Sequence, residues 1–222
     1  MLVKEIISVE EAVSKINKGD SVMVGGFIGC GTPDSLLGGL KEVGTDDLTL
    51  ICNDSGILDP ENPTGLPALI VNKQFSKMLV SHIGTNPETG RQMNAGETDV
   101  QLIPQGTLVE RIRSAGIGLG GFLTPTGLGT EVEEGKQVID IDGIKYLLEL
   151  PLRANVALIK AKVADKSGNL LYSKTARNFN PVMAMSADLV IVEAEELVEI
   201  GDIDPEHVVT PSIFVDYIVM SK

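Results

Sequence analysis

The chain has 222 residues, a net charge of −13, 43% hydrophobic residues, 4% aromatics and no Trp. That length suits one α/β domain over residues 1–222, with a core of Val, Ile, Leu, Ala and Met. The acidity argues against nucleic acid or an anionic membrane as partner, because both call for clustered Lys and Arg.

Ser8-Val9-Glu10-Glu11 reads as a capping box, and Val9, Val13 and Ile16 recur on one face of a short helix that Gly19-Asp20 ends. Residues 21–24 then read as a strand running into Gly25-Gly26-Phe27-Ile28-Gly29-Cys30-Gly31. Thr32 suits an N-cap and Pro33 a first helical residue, so a helix is predicted from Pro33 to about Lys41. Residues 48–52, 78–81 and 100–103 read as buried strands. Pro104-Gln105-Gly106-Thr107 leads into a helix over 108–114, and six glycines follow between Gly116 and Thr130. Asp142-Gly143 between apolar runs at 137–141 and 144–148 is a two-residue hairpin signal. Runs at 156–163 and 170–173 flank another turn, a short helix is predicted at 181–187, and 189–192 and 213–220 are the last strands. The alternation predicts an α/β fold with an open mixed, mostly parallel sheet flanked by helices.

The strand–glycine–helix unit at 21–41 has the logic of an anion site, with backbone N–H groups and a helix N-terminus facing a ligand. It matches neither the dinucleotide fingerprint nor the P-loop. A plain tight turn is the alternative. Gln105 and Asn53 each follow a strand, where ligands of open α/β sheets bind; a neutral amide there orients a carboxylate or a thioester carbonyl, or merely starts a loop or helix. His82 ends a strand and His207 is far from it in sequence; a structural role suits both. Cys30 and Cys52 match no metal or redox spacing and read as reduced, small apolar residues. No metal site is predicted. Without a secretory signal, the sequon Asn53-Asp54-Ser55 carries no meaning. The early charges of MLVKEIISVEEAV do not suit a signal peptide, and the apolar stretch 22–30 is too short to span a bilayer, so the expectation is a cytoplasmic protein. The acidic run 193–199 reads as solvated surface.

The segment from Val24 to Pro33 resembles the G-G-F-x-x-x-G-x-P signature of the family I (3-oxoacid) CoA-transferases, specifically their bacterial α subunits. The likeness continues through Ser81-His82-Ile83-Gly84-Thr85-Asn86, Pro104-Gln105-Gly106-Thr107, Leu123-Thr124-Pro125-Thr126-Gly127 and Ala176-Arg177-Asn178-Phe179-Asn180-Pro181, and covers nearly the whole chain. The resemblance implies transfer of coenzyme A, as substrate and not as resident cofactor, between a short-chain acyl-CoA such as acetyl-, butyryl- or acetoacetyl-CoA and a free carboxylate. It implies coenzyme A binding by Gly25, Gly26, Phe27, Ile28, Gly29, Cys30 and Gly31, and a place near the active site for Gln105. It also implies a partner β subunit in an α2β2 assembly, whose glutamate is the nucleophile. Residues 59–64 depart from the family as a longer loop, and Glu61-Asn62 in it is not the family's catalytic motif. A single-chain sugar-phosphate isomerase or lactone hydrolase on a related fold is the rival enzyme reading. A non-catalytic ligand sensor is the rival of another class, although no basic helix-turn-helix is evident.

Overall fold

Alternation of apolar residues along parallel strands sets the architecture. The computed structural model describes residues 3–221. The elements, in chain order, are β1 (Glu5–Ile6), α1 (Val9–Val13), β2 (Ser21–Val24), α2 (Asp34–Val43), β3 (Leu48–Asp54), α3 (Gly65–Val71), β4 (Phe75–His82), α4 (Pro87–Asn94), β5 (Asp99–Leu102) and α5 (Gln105–Gly116). There follow β6 (Phe122–Thr124), β7 (Val138–Ile141), β8 (Ile144–Glu149), β9 (Ala154–Asp165), β10 (Leu170–Leu171), α6 (Asn180–Ala184), β11 (Ala187–Val198) and β12 (Tyr217–Met220).

The main sheet has the order β1-β12-β11-β9-β2-β3-β4-β5, and every pairing along that path is parallel. Only β10 is antiparallel, against β9. Successive side chains point to opposite faces of a strand. Val22, Leu50, Met78, Val156 and Leu158 therefore pack in one cluster with α1, α2 and α3. Met23, Ile51, Leu79, Ala157 and Ile159 pack in the other with α5 and α6. Helices on both faces explain why these strands read as continuous apolar runs. A separate antiparallel sheet, β6-β8-β7, holds the expected hairpin, with Asp142 and Gly143 at φ 53° and 82° as a primed turn requires.

Chain order reverses at the β9–β2 pair, because β2 to β5 run outward on one side and β9, β11 and β12 on the other. The carboxyl ends of β2, β3 and β4 and the start of α5 lie along one edge, where such sheets open a crevice.

Ser8 caps α1 as expected, its Oγ accepting from the Glu11 N–H at 3.0 Å. Several boundaries differ from the sequence reading. Pro33, not Thr32, is the cap of α2, and residues 212–214 form a 3-10 turn before β12. Helices α3 and α4 carry no sequence expectation, because Pro67 and Gly90 interrupt their patterns.

The charge run 193–199, expected on solvated surface, is mostly the second half of β11. Glu195, Glu196 and Glu199 are exposed, but Glu193 is fully buried. Its Oε2 accepts the N–H groups of Ser35 at 2.8 Å and Leu36 at 3.2 Å in the first turn of α2. Its Oε1 accepts the Ser221 hydroxyl at 2.8 Å and lies 3.5 Å from Lys160 Nζ on the neighbouring strand. This carboxylate occupies the positive end of the α2 dipole. The expected anion site at that helix terminus is therefore filled from inside the protein. Removing one member of a buried charge network leaves the others uncompensated and costs about 3–5 kcal/mol. Glu193→Ala should lose stability on that scale in urea unfolding, and Glu193→Gln, which keeps an acceptor for the α2 amides, should lose less. A loss under about 1 kcal/mol in the alanine variant contradicts the assignment.

Candidate functional site at the carboxyl edge of the sheet

Beyond β2 the chain makes a projecting turn and not an open phosphate cradle. Phe27 and Cys30 exchange both backbone hydrogen bonds, at 3.1 and 3.0 Å, around Ile28 and Gly29. Both central residues have positive φ, 48° and 78°, the geometry of a primed two-residue turn. Phe27 and Ile28 stand 42% and 40% exposed at its tip. The amides of Gly25, Phe27, Ile28 and Cys30 are already engaged, by Leu158 O, Cys30 O, Asp54 Oδ2 and Phe27 O. Four of the seven amides of Gly25–Gly31 are thus used within the protein, and the loop presents an apolar tip over a tied-down base.

Asn180 does the tying. Fully buried, it donates through Nδ2 to Gly31 O at 3.0 Å and Ala176 O at 2.8 Å, and accepts the Lys160 N–H at 3.0 Å. A Cβ on Gly25 would sit 1.8 Å from Asn180 Oδ1, so only glycine allows this approach. Asn178 adds a bond to Cys30 O at 2.9 Å. The segment 174–180 and the glycine turn, distant in sequence, form one unit.

Asn53 and Gln105, separated by 52 residues, meet directly: Gln105 Nε2 donates to Asn53 Oδ1 at 2.7 Å. Ser81 Oγ donates to the same Oδ1 at 3.0 Å and to the Asn53 carbonyl at 2.7 Å. Asn53 Nδ2 donates to Asp54 Oδ2 at 2.7 Å, and that oxygen also receives the Ile28 N–H at 2.8 Å. A single hydrogen-bonded chain thus runs from the glycine turn through Asp54 and Asn53 to Gln105. Asn53 is buried and Gln105 exposed, so Gln105 is the member of this chain of bonds that solvent reaches. Asp54 and Ser81 carry no sequence expectation of this kind; their adjacency to Asn53 and to a strand end was the only signal.

A cavity of about 240 Å³ opens between the turn and the segment after β3, lined by Gly25, Gly26, Ile28, Asp54, Ile57 and Leu66 among others. Ile57, 63% exposed, and Thr64 line one wall at the two ends of the loop that includes residues 59–64. A second cleft, about 220 Å³, lies against Gly29–Thr32 with Lys160, Lys162 and Glu195. Lys162 Nζ is 2.7 Å from Glu195, which holds the Glu195 carboxyl below its ordinary range. Lys160 is shared with Glu193 and Glu195. Exposed Lys174 and Arg177 flank the turn on the 3-10 segment Lys174–Arg177. Burial raises the Asp34 carboxyl at the α2 start, against the pull of Lys160, with Glu193 adding to the rise.

His82 and His207 are exposed, and neither appears in the hydrogen-bonded chain described above. Cys52 is the buried thiol of the apolar reading; burial, reinforced by Asp54, pushes it well above its ordinary value. Cys30, by contrast, is exposed, its Sγ 3.2 Å from Thr175 Oγ1. Among the described residues no group of three or more His, Cys, Asp and Glu is placed to hold a metal, and no helix is long and apolar enough to cross a membrane.

The model of the coenzyme A transferase family matches residues 6–221. The chain is 53% identical to the acetate CoA-transferase subunit alpha of Escherichia coli K12, over 98% of its length and 97% of the relative's. It is 49% identical to the acetoacetyl-CoA:acetate/butyrate CoA transferase alpha subunit of Clostridium acetobutylicum, over 97% of both chains. Two solved structures share the fold. Glutaconate coenzyme A-transferase of Acidaminococcus fermentans superposes with a TM-score of 0.84 at 20% identity, over 98% of this chain and 75% of that one. The E. coli O157:H7 acyl-CoA transferase YdiF, in a thioester complex with CoA, gives 0.88 at 19% identity over 99% of this chain. This chain spans 47% of YdiF, about half its length.

The glycine turn yields a direct comparison. Gly25→Ala forces Asn180 to move and should cost about 1–3 kcal/mol of stability, as overpacking does. Gly29→Ala meets nothing within 4 Å and bears only the strain of φ 78°, of order 1 kcal/mol. Thermal unfolding of the two variants should rank them in that order; the reverse order contradicts the Asn180 clamp.

Proposed function

The chain belongs to the coenzyme A transferase family, and from that premise we propose that it is the α subunit of a cytoplasmic short-chain acyl-CoA:carboxylate CoA-transferase. Residues 1–222 act as one α domain, joined to a β subunit in an α2β2 assembly, with coenzyme A as substrate and no resident cofactor. Acetate, butyrate and acetoacetate are the acids favoured by the names of its relatives.

The observation that carries this reading is the state of the buried glutamates. Among the described residues these are Glu149 and Glu193. Glu149 is held by Lys136 and Arg111, and Glu193 by the α2 amides, Ser221 and Lys160. Glu149 lines a separate cleft of about 340 Å³ with Arg111 and Lys136, and neither glutamate lines the cavity beside the glycine turn. A chain that lies almost end to end with α subunits, yet places no glutamate in the cavity beside the glycine turn, suits a reaction whose nucleophile is on the partner.

The proposed sequence follows from that division. A β-subunit glutamate attacks the acyl-CoA carbonyl, and the CoA thiolate leaves as an acyl-glutamyl anhydride forms. The thiolate then attacks the glutamyl carbonyl, releasing the first acid and leaving CoA on the glutamate as a thioester. The acceptor carboxylate reverses these steps. On the α side, Gly25, Gly26, Phe27, Ile28, Gly29, Cys30 and Gly31 form a wall for coenzyme A, with the exposed Phe27 and Ile28 as its apolar contact. Asn53 and Gln105 belong to the substrate pocket, and the Gln105 amide is a neutral donor for a developing oxyanion. Lys174 and Arg177 offer positive charge near an otherwise balanced cleft, which suits a phosphate-bearing substrate.

Co-expression with the β chain from an adjacent reading frame should give a stable hetero-oligomer by light scattering. Incubation with acyl-CoA, borohydride reduction and digestion of both chains for mass spectrometry should place the modified glutamate on the partner. A reduced glutamate within this chain, or a monomer that ignores the β chain, overturns the reading.

A further inference from the structure

We propose that Asp54 is a positioning residue that fixes, through Asn53, which way the Gln105 carboxamide faces. The inference rests on the reading of Gln105 as the donor to the reacting carbonyl.

Three N–H groups converge on the Asp54 side chain, which is 5% exposed. Oδ2 accepts from Ile28 N at 2.8 Å and Asn53 Nδ2 at 2.7 Å, and Oδ1 from Gly56 N at 2.9 Å. Both oxygens act as acceptors, as a carboxylate must. A carboxamide has two ends of opposite character, and its orientation follows from its partners. With Asp54 on one side, Asn53 must turn its NH2 that way and its Oδ1 the other way. The flipped arrangement sets oxygen against carboxylate at one end and NH2 against NH2 at the other. Asn53 is 2% exposed, so water cannot rescue the flip.

The orientation is then passed on. Asn53 Oδ1, facing away from Asp54, accepts from Ser81 Oγ and from Gln105 Nε2. Gln105 is thereby held by one N–H of its Nε2. The second N–H and the carbonyl oxygen remain for a ligand in an exposed position. The negative charge of Asp54 sets the polarity of a side chain it does not touch. The same Oδ2 secures the tip of the glycine turn through Ile28, so the wall for coenzyme A and the donor for the acyl group share one anchor.

The test uses the full α chain reconstituted with its β subunit, carrying Asp54→Asn, Gln105→Ala, or both, in exchange between acetyl-CoA and butyrate. Asparagine keeps one acceptor oxygen, enough for one of the two backbone amides, and with its own NH2 in the other place it no longer forces Asn53 to face one way. Gln105→Ala should lower kcat by about 10²–10³-fold, and Asp54→Asn by roughly tenfold or more, with KM for the acid nearly unchanged. In kcat the double variant should be no slower than Gln105→Ala alone, because there both act through one donor, while loss of the Ile28 anchor shows in KM for acetyl-CoA. Losses in kcat that multiply in the double variant overturn the proposal.

A second readout does not depend on activity. The side-chain ¹⁵N resonances of Gln105, assigned by their loss in Gln105→Ala, should move in Asp54→Asn; resonances that stay in place overturn the proposal. If they move while Gln105→Ala retains wild-type kcat, the orienting link stands and the catalytic reading of Gln105 fails instead. Should Asp54→Asn fail to fold, Asn53→Ala severs the same link and should give the same two results.

Discussion

A buried carboxylate must be surrounded by donors, and Glu193 meets that demand by drawing four parts of the fold to one point. It lies on β11, takes the first-turn amides of α2, faces Lys160 on β9 and accepts the hydroxyl of Ser221 just after β12. Desolvating a charge costs several kcal/mol, so this arrangement persists only with all its partners in place. Its consequence for function is direct. By saturating the α2 terminus, Glu193 removes the helix dipole as a site for an external anion and leaves α2 as a fixed support beneath the glycine turn. The crevice where the strand order reverses is thus shaped by an interaction buried within the protein.

The glycine turn illustrates how two uses of glycine combine. Gly25 is needed because a buried side chain, Asn180, passes where a Cβ would be. Gly29 is needed because the turn requires positive φ. Together they give a turn rigid at its base and apolar at its tip. Four of the seven backbone amides of Gly25–Gly31 are spent holding its shape, so what the loop presents outward is mainly apolar surface. Asp54 joins the turn to the carboxamide of Gln105, since one of its oxygens holds the turn and orients Asn53.

That economy fits the family. Acyl exchange through a glutamyl thioester needs a nucleophile, an oxyanion donor and a wall for the coenzyme, and these need not come from one chain. In the proposed division the donor and the wall stand on the ends of β2 to β5, and no glutamate lines the cavity beside the glycine turn. The fold shared with glutaconate CoA-transferase and YdiF at about 20% identity shows how much of this scaffold depends on the strand order and two-sided core rather than on particular residues.

Local pattern by itself determined the β2–turn–α2 unit, the Ser8 cap, the Asp142-Gly143 hairpin and the mostly parallel sheet. Each of these depends on neighbours within a few residues or on simple periodicity. The family, too, was legible, because its motifs recur over nearly the whole chain. Helices α3 and α4 were hidden behind Pro67 and Gly90, which break the periodic signal although packing tolerates them. Glu193 read as surface because three acidic neighbours, Glu195, Glu196 and Glu199, do lie on the surface; only a helix start 158 residues away makes its burial tolerable. Asn53 and Gln105 could be named separately from their places after strands, but their contact, and the carboxylate that orients them, needed β3, β4 and α5 side by side. The energy of a buried charge or carboxamide is set by groups that reach it through the fold, and a pattern read along the chain contains no record of them.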